Sequence, residues 1–387
     1  MSSQAFAADV MVVGAGPTGL ALAAELRRLG VSIHIVDAQA EGANTSRAAV
    51  VHARTLEVLE PLGVTAHLLQ DGLKVPTFRI RDRDNVLLSI DFSTIPSAYP
   101  FALMCPQDRT EAILLASLEK LGGKVDRPCD FLGFETEGSQ VVATVRSDGI
   151  RRGIRSRWLV GCDGMHSRVR DVAQIAFEGA VYEQSFVLAD VRMDWPGSRE
   201  EVSLFLAPEG LLVVAPLPGD RFRIVATMDD APVSPSLGDV NALLATRGPI
   251  AVRANVQDVL WSSRFRVHHR IATSPRKGRV LVCGDAAHVH SPAGGQGMNT
   301  GIQDAVSLAQ ALAETLRDGN ETRIDDWATE RHEVAARVVT LTDRLTRMGT
   351  ARSPTAQKLR NAAIHFAGSL PMVRAALARN IAELPPR

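Results

Sequence analysis

The feature that most narrows the possible folds is the hexapeptide Gly14-Ala15-Gly16-Pro17-Thr18-Gly19. It follows the continuous apolar run Val10–Val13 and leads into an Ala- and Leu-rich stretch, Thr18–Leu29. A short apolar run stopped by glycine reads as a buried strand. The stretch after it reads as a helix, and Gly30 stands where a helix would end. A second apolar strand, Val31–Val36, comes next. Strand, tight turn, helix and parallel strand make one βαβ unit. The three glycines have separate tasks in GxGxxG spacing. Gly14 permits the turn, Gly16 lets backbone approach a pyrophosphate, and Gly19 lets the helix lie close on the sheet. The helix N-terminus adds unpaired N–H groups and a positive dipole end. The plain alternative is a glycine-tight turn in a doubly wound domain that binds nothing.

Asp37 closes the second strand, 18 residues after Gly19. An acid roughly 20 residues beyond such a motif hydrogen-bonds a ribose. Its charge repels a 2′-phosphate, so the bound ribose carries a free 2′-OH. FAD and NAD both meet that condition, and this motif alone does not choose between them. Two further strands end in glycine-acid turns. Trp158–Arg170, WLVGCDGMHSRVR, contains Gly161-Cys162-Asp163-Gly164. Arg279–Ala305 contains Gly284-Asp285, a glycine-rich loop from Pro292 to Gly297, and a helix beginning near Met298. Asp285 sits at the carboxyl end of a strand, where open α/β sheets bind ligands. Its carboxylate can accept bonds from sugar-alcohol hydroxyls, and the helix N-terminus stabilises negative charge on a reduced flavin. A helix-capping Asp with a flexible loop is the bland alternative. One ligand reaching acids at three strand ends must be extended, which suits FAD better than NAD.

The rest of the chain sets the architecture. Arg109–Leu121 reads as a helix closed by Gly122-Gly123. From Val181 to Met228 the pattern changes to short strands separated by Pro, Gly and Asp: Ser185–Met193, Val202–Leu206, Leu211–Pro216 and Arg221–Met228. Beyond Met298 the chain reads as helical, through Leu316, Asp325–Leu345 and an Ala-rich tail. The expected fold is α/β: a Rossmann-like FAD-binding domain with an inserted antiparallel β-sheet substrate domain and C-terminal helices. The expected division assigns 1–75, 100–178 and 275–340 to the FAD-binding domain, 76–99 and 179–274 to the substrate domain, and 341–387 to a C-terminal helical segment. With 43 basic and 43 acidic residues the chain shows no electrostatic footprint for nucleic acid or an anionic membrane. Its four cysteines form no CxxC, which fits a reducing cytoplasm and no metal site. No signal-like segment or spanning apolar run is present in the sequence. No second strand–GxGxxG–helix unit and no redox CxxxxC pair occur, which argues against disulfide reductases and two-nucleotide-domain oxygenases.

GAGPTG, CDGMHS and GDAAHVHSPAGGQGMN, in that order over Asp9–Leu312, resemble the flavoprotein aromatic hydroxylase family, the group around p-hydroxybenzoate, phenol and polyketide hydroxylases. The resemblance implies FAD held by Gly14, Gly16, Pro17, Thr18 and Gly19 at the pyrophosphate, with Asp37 on the adenosine ribose. It implies Arg47 near the pyrophosphate with Arg54 supporting that loop, Gln107 at the ribityl chain, and Asp163 linking flavin to nicotinamide binding. Asp285 is expected on the ribityl hydroxyls, and Pro292, Gly295, Gly297, Met298 and Asn299 around the flavin ring edge. Arg223, on the strand RFRIVATM, is the candidate catalytic residue; a solvent-facing arginine paired with Asp220 is the competing reading. His288 and His290 read as structural hydrogen bonders, and Arg264–Arg270 as a surface strand or an entry for nicotinamide phosphates.

The implied reaction uses NADPH or NADH as transient co-substrate and O2, forms a C4a-hydroperoxyflavin, and hydroxylates a phenolic or polycyclic aromatic molecule. The partners implied are that small molecule and O2, with the chain a monomer or homodimer. About 45 residues follow Thr342, so the chain is expected to be a short form without the thioredoxin-like domain of phenol and polyketide hydroxylases. Baeyer–Villiger oxidation, epoxidation or reduction on the same fold, a non-catalytic flavin-binding module, and an NAD-dependent dehydrogenase are the alternatives.

Overall fold

The computed structural model describes residues 6–42, 48–292, 294–349 and 353–384. Strand β1 (Phe6–Val13), helix α1 (Pro17–Arg28) and strand β2 (Ile33–Val36) form the βαβ unit that the glycine motif predicts. Helix α2 (Gln107–Lys120) packs beside α1, and strands β3 (Ile150–Gly161) and β9 (Val280–Val282) join the same sheet. The order across its parallel part is β9, β3, β1, β2, then Val125–Asp126. Two antiparallel strands, Asp130–Glu137 and Gln140–Ser147, extend from β3.

Both faces of this sheet are covered, which is why its strands read as continuous apolar runs. Val10 and Val12 point into one core with Leu20, Leu22, Trp158 and Leu281. Met11 and Val13 point into the other with Leu159, Val280 and Val282. Alternation along one strand thus serves two cores rather than one core and water. Helix α3 (Gly297–Asp318) lies on the first face against α1, and α4 (Thr322–Gly349) packs outside it.

A second sheet of eight strands stands apart from the first. Its strands β4 (Phe177–Asp194), β5 (Glu201–Ala207), β6 (Gly210–Leu217), β7 (Arg221–Met228) and β8 (Asn255–Ala272) lie in the order β8, β4, β7, β6, β5. The hairpin Thr77–Asp82 and Asn85–Asp91 completes the β5 edge, and His288–Val289 the β8 edge. One face packs on the helix Leu237–Arg247, whose start carries a Ser236–Asp239 capping box. On the other face Ala215 and Leu217 touch Ala49, Val75 and Met104 of the nucleotide-binding part.

The strand expected over Ser185–Met193 is longer, and Arg264–Arg270 lies in the second half of an 18-residue strand. Helices Pro354–Ser369 and Pro371–Ile381 make up the Ala-rich tail. No helix among the described residues is long and apolar enough to cross a membrane. The four cysteines are buried and unbridged.

Candidate functional site

Because β9, β3, β1 and β2 are parallel neighbours, their carboxyl ends share one edge. The segments following them carry Asp285, Asp163, Gly14 and Asp37, in that order across the sheet. Three strand spacings separate the outer pair, roughly 14 Å. The three glycine-acid turns therefore lie on one line, along which an extended ligand can run.

The glycine turn is built as its spacing demands. A Cβ on Gly14, at φ +99°, would lie 2.4 Å from the Cys162 carbonyl oxygen, and one on Gly19 would lie 1.9 Å from that of Gly14. A Cβ on Gly16 would meet nothing within 4 Å, so this position faces open space. Helix α1 begins there with no side-chain cap and no acid in its first turn. Its end thus offers backbone N–H groups, unopposed by negative charge, to a phosphate. Thr18 is wedged between two later segments: a Cβ on Gly284 or on Gly301 would each approach its Oγ1 to 2.6 Å.

Asp37 faces two backbone donors. Its Oδ2 accepts from Ala15 N at 2.6 Å and its Oδ1 from Gln39 N at 2.8 Å. The carboxylate holds the glycine turn and keeps further lone pairs for a ribose. Arg127 donates to the Ala15 carbonyl at 3.0 Å from the neighbouring strand end. Asp285 is exposed at the tip of an otherwise buried turn, Gly284–Ala286. Arg170 donates to the Ala286 carbonyl at 3.1 Å, holding that turn from the CDGMHS side.

Two expected ligand groups are engaged within the chain. Asp163 accepts from Ser167 Oγ at 2.5 Å and from Val169 N at 3.1 Å, so it caps the short helix Arg168–Val172. Burial raises its carboxyl pKa against these bonds. Gln107 accepts from Ala48 N at 3.1 Å and donates to Glu111 at 2.9 Å. Arg47 lies outside the described residues. Arg54 is at the surface, paired with Glu57 at 3.0 Å.

Helix α3 starts at Gly297 with neither a side-chain cap nor a first-turn acid. The N–H groups of Gly297, Met298 and Asn299 point out of the helix end, as its first turn requires. Gly295, at φ +65°, packs so closely that a Cβ would meet Val50 Cγ1 at 2.2 Å. Pro292 begins the same loop and accepts from Gly295 N at 2.9 Å. The buried Asn299 side chain clasps this region. Its Oδ1 accepts from His52 N at 2.8 Å, and its amide donates to the Val50 and Gly295 carbonyls at 2.9 Å each. His52, whose pKa burial lowers to about 4, is neutral at pH 7 and donates from Nε2 to the Gly294 carbonyl at 2.9 Å. Neither the Asn299 clasp nor His52 was legible beforehand, since each joins segments more than 240 residues apart.

Arg223 corrects one expectation. It is 3% exposed rather than solvent-facing, and its partner is Asp190 across the sheet, not Asp220. The two form a fork-to-fork pair at 2.7 and 2.8 Å. In the sheet pairing Arg223 stands opposite Ala215, whose side chain touches the nucleotide-binding part. The ion pair is thus on the face turned toward the cofactor edge. Phe186 and Phe265 stack on that face with ring centroids 5.7 Å apart. Among the described residues no His, Cys, Asp and Glu cluster suits a metal ion.

An open cradle before α1, an acid at the ribose position, an exposed acid at the opposite end of the row and a second uncapped helix end fit an extended flavin dinucleotide. Comparison with known proteins agrees. Residues 7–342 match the family described as FAD binding domain. The 6-methylpretetramide 4-monooxygenase of Streptomyces rimosus is 37% identical over 92% of this chain and 65% of its own length. The pentachlorophenol 4-monooxygenase of Sphingobium chlorophenolicum is 34% identical over 86% of this chain and 63% of its own. The chain therefore spans somewhat under two thirds of these relatives. The solved anhydrotetracycline hydroxylase of Streptomyces rimosus superposes with a TM-score of 0.82 at 33% identity, over 99% of this chain and 77% of that one.

Proposed function

The chain belongs to the FAD-binding family of aromatic hydroxylases, and on that premise we propose that it is a monooxygenase that uses NAD(P)H and O2 to hydroxylate a phenolic or polycyclic aromatic substrate. The observation that carries this reading is the single sheet edge, with two uncapped helix ends and the acids Asp37 and Asp285, facing a second sheet that bears the buried Arg223–Asp190 pair.

FAD, when bound, supplies the redox chemistry: it takes a hydride from the nicotinamide and activates O2 so that one oxygen atom reaches the substrate ring. The chain's own residues bind, orient and exclude water. Asp37 accepts from the adenosine ribose while holding the glycine turn. The backbone of Gly16 and the N-terminus of α1 take the pyrophosphate. Asp285 accepts from ribityl hydroxyls. The N–H groups of Gly297, Met298 and Asn299 stabilise negative charge at the ring edge, and the Asn299 clasp keeps them aimed there. Asp163 and Gln107 act as holders of their turns, with ligand contact through the adjoining backbone. Residues 1–75, 100–178 and 275–340 serve as the FAD-binding part, 76–99 and 179–274 as the substrate part, and 341–387 as a helical buttress.

The face with Phe186, Phe265, Val213 and Val225 supplies an apolar wall that accepts a flat ring and keeps bulk water from the reacting atoms. Arg223, its charge balanced by Asp190, is held as an ordered guanidinium on that side. His268 sits below the ordinary histidine range through burial and the nearby Arg270, His166 and His269. The CDGMHS loop and the basic strand are therefore close, which supports nicotinamide approach between them. The test is turnover with NADH or NADPH and a panel of phenols under 18O2. One labelled oxygen in the product supports the proposal; NAD(P)H oxidation that gives only peroxide with every aromatic tried removes it.

A further inference from the structure

Behind the turn that carries Asp285 lies a buried polar cluster that no motif explained. Asp304, 2% exposed, stands on α3 two turns beyond its N-terminus. Its Oδ2 lies 2.6 Å from His288 Nε2, and its Oδ1 accepts from Arg331 Nε of α4 at 2.5 Å. His288 follows the Asp285 turn directly and is 3% exposed. The cluster thus joins the Asp285 turn to both helices.

A carboxylate against Nε2 keeps the imidazole proton there, so His288 donates to Asp304 and presents Nδ1 as a bare lone pair. Arg331 pairs with the other oxygen of the same carboxylate and balances the Asp304 charge. His288 Nδ1, Arg331 Nη2 and His332 Nδ1 are all buried without a hydrogen-bond partner among the described residues. The three side chains line one cavity of about 10 Å³. That is room for about one water, and the groups around it are complementary: Arg331 Nη2 donates and His288 Nδ1 accepts.

We propose that Asp304, His288, Arg331 and one resident water form a brace that fixes the Asp285 turn relative to the N-terminus of α3. The inference rests on the reading of that edge as the FAD site. Asp285 and the Gly297–Asn299 backbone would hold adjoining parts of one ligand, and the cost of ordering the site around it is spared by a separation set before binding. The brace sets it, because the same carboxylate grips the turn and belongs to the helix. His288, Asp304 and Arg331 are positioning residues and touch no ligand.

Two measurements on the full chain test this. A crystal structure of FAD-free protein, refined far enough to show ordered water, should place one water between Arg331 Nη2 and His288 Nδ1. A bromide soak should leave no anomalous peak there; an empty cavity or a bound halide overturns the proposal. FAD titration then separates positioning from folding. His288→Gln keeps a donor to Asp304 and should hold FAD within about twofold of wild type, whereas His288→Leu should weaken it about tenfold. If both variants lower the melting temperature of FAD-free protein yet bind FAD like wild type, the cluster is structural only and the positioning role is wrong. If wild type itself takes up no FAD, the cofactor reading fails instead, and the water test alone judges the cluster.

Discussion

Asp37 and Asp285 stand at opposite ends of one sheet edge. Asp285→Ala should weaken FAD binding about tenfold. Asp37 accepts from Ala15 N and Gln39 N, so Asp37→Ala should weaken FAD and also cost about 1–3 kcal/mol, because a backbone donor in the tight turn loses its partner. Fluorescence titration and urea unfolding read these two effects separately; unchanged stability in Asp37→Ala would contradict its hold on the turn. The Arg223–Asp190 pair is enclosed, so Asp190→Ala takes two charge-assisted hydrogen bonds from a buried guanidinium and should cost about 1–3 kcal/mol. An unfolding midpoint equal to wild type would show that the pair is solvated. At this scale the sequence revealed residues whose role is local. Gly14, Gly16 and Gly19 act within one turn and could be read from spacing. Asp304, His52 and the Asn299 side chain act on partners far along the chain, and nothing near them in sequence names those partners.

Elements followed the same division. The βαβ unit was legible because its apolar runs, glycines and helix are contiguous. Strand β8 was legible in part: Arg264 to Arg270 reads as a surface strand, whereas its first half, 255–263, and its pairing with β4 across some 80 residues have no local signal. The loop before α3 was legible as glycine-rich, and the structure adds why Gly295 is glycine: its φ is +65° and Val50 fills the space a Cβ would need. Gly295→Val should therefore force the loop off Val50 and lower FAD affinity by about tenfold or more while leaving helix content by circular dichroism unchanged. Affinity equal to wild type would separate the loop from the cofactor. The C-terminal segment brings a pH dependence. Glu383 is enclosed against α3, accepting from Gln303 Nε2 and from Thr300 Oγ1 at 3.3 Å, and burial raises its pKa from 4.5 to about 8. In the unfolded chain it ionises near its ordinary value, so between pH about 4.5 and about 8 folding retains a proton. This contribution to stability is full below that range and is lost as pH rises through it. Glu383→Gln should flatten the decline in melting temperature over that range; an unchanged slope would mean that another group titrates.

For the whole molecule, the two eight-stranded sheets differ in where they are buried. The parallel sheet is covered on both faces and shows uniform apolar strands; the second sheet is buried on both faces at its centre, Gly210–Leu217, and only half-buried towards its edge, Thr77–Asp82. The cofactor reading predicts that the edge between them is unfinished without its ligand. Bound FAD should raise the unfolding free energy by about 2.7 kcal/mol at a hundredfold excess over its dissociation constant. The most direct test of the central claim is the absorbance spectrum of the purified protein, followed through anaerobic titration with NADH and NADPH, with and without phenols. An oxidised-flavin spectrum is expected, at once or on adding FAD, and a nicotinamide should bleach it faster when one class of phenol is present. A colourless protein that FAD cannot reconstitute would contradict it.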